Sequence, residues 1–79
     1  MPKPVAYILF NHEMDWECRI TAHQHEAEAL DGFDGWWIGG EVNTLEEVFH
    51  LLDDNDFDPE YFYNFVELMP HWLYNALNH

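Results

Sequence analysis

Serine does not occur in this sequence, which rules out a serine nucleophile in any triad or nucleophile elbow. Cysteine occurs once, as Cys18, so no internal disulfide can form; no Cys-x-x-Cys pair or zinc-type Cys/His framework is present either. A Gly-rich phosphate loop and a dinucleotide fingerprint are both missing. No apolar run approaches the ~20 residues a membrane helix needs, and the opening MPKPVAYILFNHEMD has neither a charged leader region nor a small-residue cleavage site. A soluble, unexported, intracellular protein is therefore expected. Positive charge is the scarcest resource: Lys3 and Arg19 stand against sixteen acidic side chains, for a formal net charge of -14. Binding nucleic acid by counterion release needs lysine and arginine against phosphate, so direct nucleic-acid binding is excluded.

Such a charge in an apolar-poor chain would argue for disorder. Here 48% of residues are hydrophobic and 18% aromatic, enough large apolar surface to offset chain entropy in a single domain spanning residues 1–79. The expectation is a compact core wrapped in acid. The shell repels itself, more strongly as salt falls, and so costs stability. Solubility alone needs a net charge of only about 2–8 in a small domain.

PVAYILF, Pro4 to Phe10, reads as a strand apolar on both faces and hence interior to a sheet. Trp16, Cys18, Ile20 and Ala22 alternate with Glu17, Arg19 and Thr21, the period of a half-buried strand, with Asn11 to Asp15 as the connection. Cys18 then lies inward as a small core residue. His23 to Leu30 fits a loop or a short helix. DGFDG, Asp31 to Gly35, signals a tight reversal, and WWIGGEV, Trp36 to Val42, a third strand with Gly39 and Gly40 marking a bulge or its end. Thr44 and Glu47 form a capping box that starts a helix at Leu45, with Leu45, Val48, Phe49 and Leu52 on one stripe. Asp58 and Pro59 open a second helix as N-cap and first-turn proline, and Pro70 should kink or split it before Leu77. The predicted fold is α+β: a small antiparallel meander of about three strands, followed by two or three helices packed on one face.

Four aspartates crowd Asp53 to Asp58 at the end of the first of these helices, where its dipole makes each exposed carboxylate unfavourable by roughly 0.3–1 kcal/mol. A calcium loop does not explain them. With Asp54, Asp56 and Asp58 at positions 1, 3 and 5, the glycine position holds Pro59 and the bidentate glutamate position holds Phe65. His23 and His25 with Glu26 and Glu28 lack a distant third ligand, so no metal or cofactor is expected; an enzyme using them is the weakest of the readings. The acids gather instead into three clusters: Glu13, Asp15 and Glu17, spaced by ~6.5–7 Å if extended; Asp53, Asp54, Asp56 and Glu60; and Asp31 with Asp34. Tyr61, Tyr63, Tyr74 and one of Trp36 and Trp37 are candidate aromatic anchors among them. A globule of this length has a diameter of ~30 Å, over which duplex DNA carries roughly 18 phosphate charges. The chain offers a basic groove a field of comparable strength.

In size, acidity and aromatic content, carried by NHEMDWE, DGFDGWW and LLDDNDFDPEYF, the chain resembles small acidic DNA-mimic inhibitors from phages and mobile elements. These include anti-CRISPR proteins, antirestriction proteins and DNA-glycosylase inhibitors. The resemblance is closest to anti-CRISPR proteins. It implies a non-enzymatic inhibitor, in the cytoplasm of a bacterial host, that blocks the basic nucleic-acid-binding groove of a CRISPR surveillance complex. Its expected contacts are Glu13, Asp15, Glu17, Asp31, Asp34, Asp53, Asp54, Asp56, Glu60 and Tyr61. A monomer is the favoured form. An acidic antitoxin, immunity protein or adaptor that grips a basic protein is the alternative of another class.

Overall fold

Residues 4–13 and 16–78 are described by a computed structural model. They form, in order, β1 (Ala6–Asn11), β2 (Glu17–Thr21), α1 (Gln24–Leu30), β3 (Trp36–Val42), α2 (Leu45–Asp54), α3 (Pro59–Leu68) and α4 (His71–Leu77). The α+β arrangement is the expected one, but the sheet is not a meander. Its order is β2-β1-β3, with β1 antiparallel to both neighbours. The physical reason is the double-faced apolarity of β1: every residue from Ala6 to Asn11 is buried, and only a central strand covered on both faces can bury them all.

The two faces feed two cores. Ala6, Ile8 and Phe10 join Cys18, Val42 and the inner stripes of α2, α3 and α4 (Val48, Leu52, Phe62, Phe65, Leu73 and Leu77). On the other face Tyr7 and Leu9 meet Trp36 and Ala27, the one buried residue of α1. Three helices thus share one face, as expected, while the ambiguous segment from His23 to Leu30 resolves into a fourth that covers the other. Two turns are enough because it has one small hydrophobic cluster to cap.

Several local signals act as written. The Thr44 hydroxyl accepts from Glu47 N–H at 3.2 Å and starts α2, while the Glu47 carboxylate accepts from Asn43 N–H at 3.1 Å. Asp58 accepts from Glu60 N–H at 2.8 Å at the start of α3. The chain breaks between α3 and α4 at Met69 and Pro70. Gly39 is the extra residue of a bulge between the pairs Ile8↔Gly40 and Leu9↔Ile38, and a Cβ there would run into the Phe10 ring. Trp16 departs from expectation. The strand begins only at Glu17, and a left-handed backbone at Trp16 (φ 52) rotates the indole out of the inward row, leaving it 44% exposed.

Two of the four aspartates behind α2 have structural employment. Asp58 is a cap. Asp56 (φ 65) is the left-handed residue of a Schellman ending, in which Phe57 N–H reaches Leu52 O at 2.9 Å and Asp56 N–H reaches Asp53 O at 3.1 Å; Phe57 and Leu52 also share the core. Glycine suits that seat better, and losing a carboxylate at a helix C-terminus also helps. Asp56→Gly should stabilise the protein by about 1 kcal/mol, raising Tm by roughly 4–8 °C. An unchanged or lower Tm in calorimetry would refute this account of the turn. Asp53 and Asp54, exposed in the last turn of α2, have no comparable role in the fold.

Candidate functional site

Asn11 anchors the end of the sheet where β1 finishes and its two neighbours begin, paired with Glu17 on one side and Trp36 on the other. It is buried, its Nδ2 donates to Asp34 O at 3.1 Å, and its Oδ1 accepts from Glu13 N–H at 3.0 Å. One amide thus ties together two turns that carry acid from different clusters. Gly35 (φ 89) makes room for the contact, since a Cβ there would lie 2.7 Å from Glu13 Oε2.

His12 brings in the third cluster. Its Nε2 donates to the Asn55 carbonyl at 3.3 Å, joining the sheet end to the C-terminus of α2. Around the imidazole stand Trp16 (4.6 Å between ring centres, edge-on), Trp37 (5.6 Å), Phe57 (5.7 Å) and Phe10 (5.9 Å). Phe10 and Phe57 belong to the core, whereas Trp16 and Trp37 stand 44% and 38% exposed. Phe57 also packs on Tyr61, whose hydroxyl accepts from Cys18 N–H at 2.9 Å. The result is an aromatic knot with an outer face of two indoles, bordered by Glu13, Glu17 and Asp34 on the sheet side and by the Asp53–Glu60 stretch on the helix side.

The sequence-predicted residues divide accordingly. Glu13, Glu17, Asp34, Asp53, Asp54, Asp56 and Glu60 are exposed on the turns and helix ends that meet at this knot. Glu13 sits in the bend after β1 and Glu17 at the first position of β2, so the two do not share one strand as an extended row; Asp15 lies outside the described residues. Asp31 is exposed but employed in the DGFDG turn, accepting from Ile38 N–H at 3.0 Å. Tyr61 is half-buried and braces β2 against α3. Tyr74 is packed against the core, Trp36 is buried beneath Arg19, and Tyr63 and Trp37 are the exposed candidates. His12 and Trp16 were missed. Nothing local marks either, because the partner of His12 is 43 residues away and the Trp16 indole turns outward only through its backbone.

Fifteen of the sixteen acidic side chains are described, and each is exposed. Among the described residues the single carboxylate ion contact is His50 with Glu46 at 3.7 Å, and none involves lysine or arginine. Arg19 lies instead over the Trp36 ring, 4.7 Å from its centre. Among the described residues the negative field is therefore not cancelled by lysine or arginine paired with the carboxylates. The titrating groups with marked shifts lie beside the knot: burial pushes the Cys18 thiol up to about 11, opposed by its bond to Tyr61, and partial burial pushes the half-buried Tyr61 phenol up to about 12. Both are held neutral in the folded state, so their contribution to stability is complete below about pH 9 and is lost as pH rises through 11 to 12. Denaturation midpoints should fall as pH rises from about 9 to 12, and Cys18→Ala should remove the lower part of the fall. A midpoint unchanged up to pH 12 would contradict the burial of both groups.

Among the described residues no group of three or more His, Cys, Asp or Glu side chains is placed to hold a metal ion, and His23 and His25 are exposed. No helix of the described residues is long and apolar enough to cross a membrane. No protein-family model, curated protein or solved structure matches this chain.

Proposed function

We propose that this protein is a non-enzymatic inhibitor that presents DNA-like charge to a basic nucleic-acid-binding groove, acting as an anti-CRISPR protein on a CRISPR surveillance complex. The observation that carries the reading is the convergence of acid from distant parts of the sequence on one end of the sheet, exposed and, among the described residues, without a lysine or arginine partner, around two exposed tryptophans. Carboxylates without local cations keep their long-range attraction for a basic surface. Tryptophans supply contact area that slows dissociation once the surfaces meet.

Dimensions fit the same reading. The molecule measures 33 × 29 × 20 Å, and over 33 Å a duplex carries about 19 phosphate charges against the net -14 here. A basic channel that holds target DNA or a guide heteroduplex by its backbone charge has no sequence to check, so it is open to this kind of competitor. Affinity capture from a CRISPR-bearing bacterial lysate at moderate salt, followed by mass spectrometry, tests the proposal. The expected catch is a subunit with a basic nucleic-acid channel, released by added duplex DNA. Capture of a protein that duplex cannot release would favour an antitoxin or adaptor role instead.

A further inference from the structure

A second surface adjoins the aromatic knot and shares Phe57 with it. Between α2 and α3 lies a groove of about 290 Å³ whose apolar walls include Phe49, Leu52, Phe62 and Tyr63, with Asp53, Asp58 and His50 as its polar lining. Phe49 stacks on Phe62 with ring centres 3.5 Å apart yet remains 48% exposed, and Tyr63 is 71% exposed. Aromatic surface of this extent is not needed to close the core, which Val48 and Leu52 already seal from α2. Phe57 connects the two surfaces, lining the groove while touching His12 and Trp16.

We infer that this groove receives a basic amphipathic segment of the partner: an apolar side chain lies between Phe49 and Tyr63, and a flanking arginine or lysine meets Asp53 and Asp58. Its volume is at the small end for ligand pockets and suits one or two side chains better than a drug-sized molecule. The polar lining selects the sign of the occupant. Two aspartates and a shell of net -14 repel an acidic peptide, and they repel a second copy of this chain for the same reason. An apolar anchor with cationic flanks satisfies both apolar walls and polar lining, the pattern of a helix-in-groove contact with anchors on one face. The inference rests on the reading that the partner is basic, and adds to it an apolar anchor at a defined place.

The test uses the full chain labelled for amide NMR and two probes. One is a synthetic amphipathic peptide of about eighteen residues, with leucine at i, i+3, i+4 and i+7 and arginine on its remaining faces. The other is nona-arginine, which has charge without an anchor. The leucine–arginine peptide should shift the amides of Phe49, Leu52, Asp53 and Tyr63. Tyr63→Ala, at an exposed position that leaves the fold intact, should weaken it at least tenfold while nona-arginine binding is unchanged. Asp53→Asn should weaken both probes. If both probes shift only amides near Glu13 and Glu17, and Tyr63→Ala changes neither affinity, the groove assignment is overturned while the charge reading stands. If neither probe binds at low salt, the premise of a basic partner falls, and the groove assignment with it.

Discussion

Converting Glu13, Glu17, Asp34, Asp53 and Asp54 to their amides is expected to leave a folded protein that no longer captures or blocks its target. The exchange removes five of the fourteen net negative charges, all from the two sides of the aromatic knot. Electrostatic steering raises association rates by 10–10³, so losing these five carboxylates should cost one to two orders of magnitude in on-rate at low salt. Stability should move the other way. None of the five is paired with lysine or arginine among the described residues, and Asp53 and Asp54 oppose the dipole of α2 by roughly 0.3–1 kcal/mol each. Tm should rise while inhibition falls, a pairing that ordinary destabilisation cannot produce. Rates from surface plasmon resonance beside Tm from calorimetry give the check, and full inhibition by the five-amide variant would refute the site.

Phe10→Ala is expected to have the largest effect on the fold. Phe10 is fully buried at the sheet centre and stands behind the knot, with ring centres 5.3 Å from Trp37, 5.4 Å from Phe57 and 5.9 Å from His12. Truncating a buried phenylalanine costs about 3–5 kcal/mol. A domain of this length has a total of roughly 4–12 kcal/mol. The variant should therefore lose from about a quarter to all of its stability, seen as a denaturation midpoint far below the parent's in tryptophan fluorescence. Where residual fold survives in stabilising salt, the knot should be loosened, because Trp37 loses its direct backing and so do His12 and Phe57, on which Trp16 packs. A midpoint within experimental error of the parent would mean that Phe10 does not organise the core.

How much of this was legible follows from the range of each interaction. PVAYILF announced a central strand by apolarity on both faces, and the sheet order β2-β1-β3 is what that burial requires. Thr44 with Glu47, Asp58 with Pro59, the DGFDG reversal and the Gly39 bulge are local signals whose partners lie within a few residues or one strand pair. The side taken by α1 was not legible, since a two-turn segment with one buried alanine fits either layer. Nor was the outward turn of Trp16, which depends on one left-handed residue. The site itself was half visible. Individual acid clusters could be read from composition, but their meeting depends on Asn11 and His12 reaching Asp34 and Asn55, contacts that span 23 and 43 residues. Phe49, placed by its spacing on the apolar stripe of α2, instead lies outside the core cluster and is 48% exposed, stacked on Phe62.

The central claim is that exposed, unpaired carboxylate around the Trp16 and Trp37 face occupies the same basic channel as nucleic acid. An equilibrium competition on the captured target, between this protein and a short fluorescent duplex, tests it most directly across a range of salt. Mutually exclusive binding, with the protein's affinity falling steeply as salt rises, is the predicted result. A stable ternary complex of target, duplex and protein, formed with an affinity indifferent to salt, would contradict it.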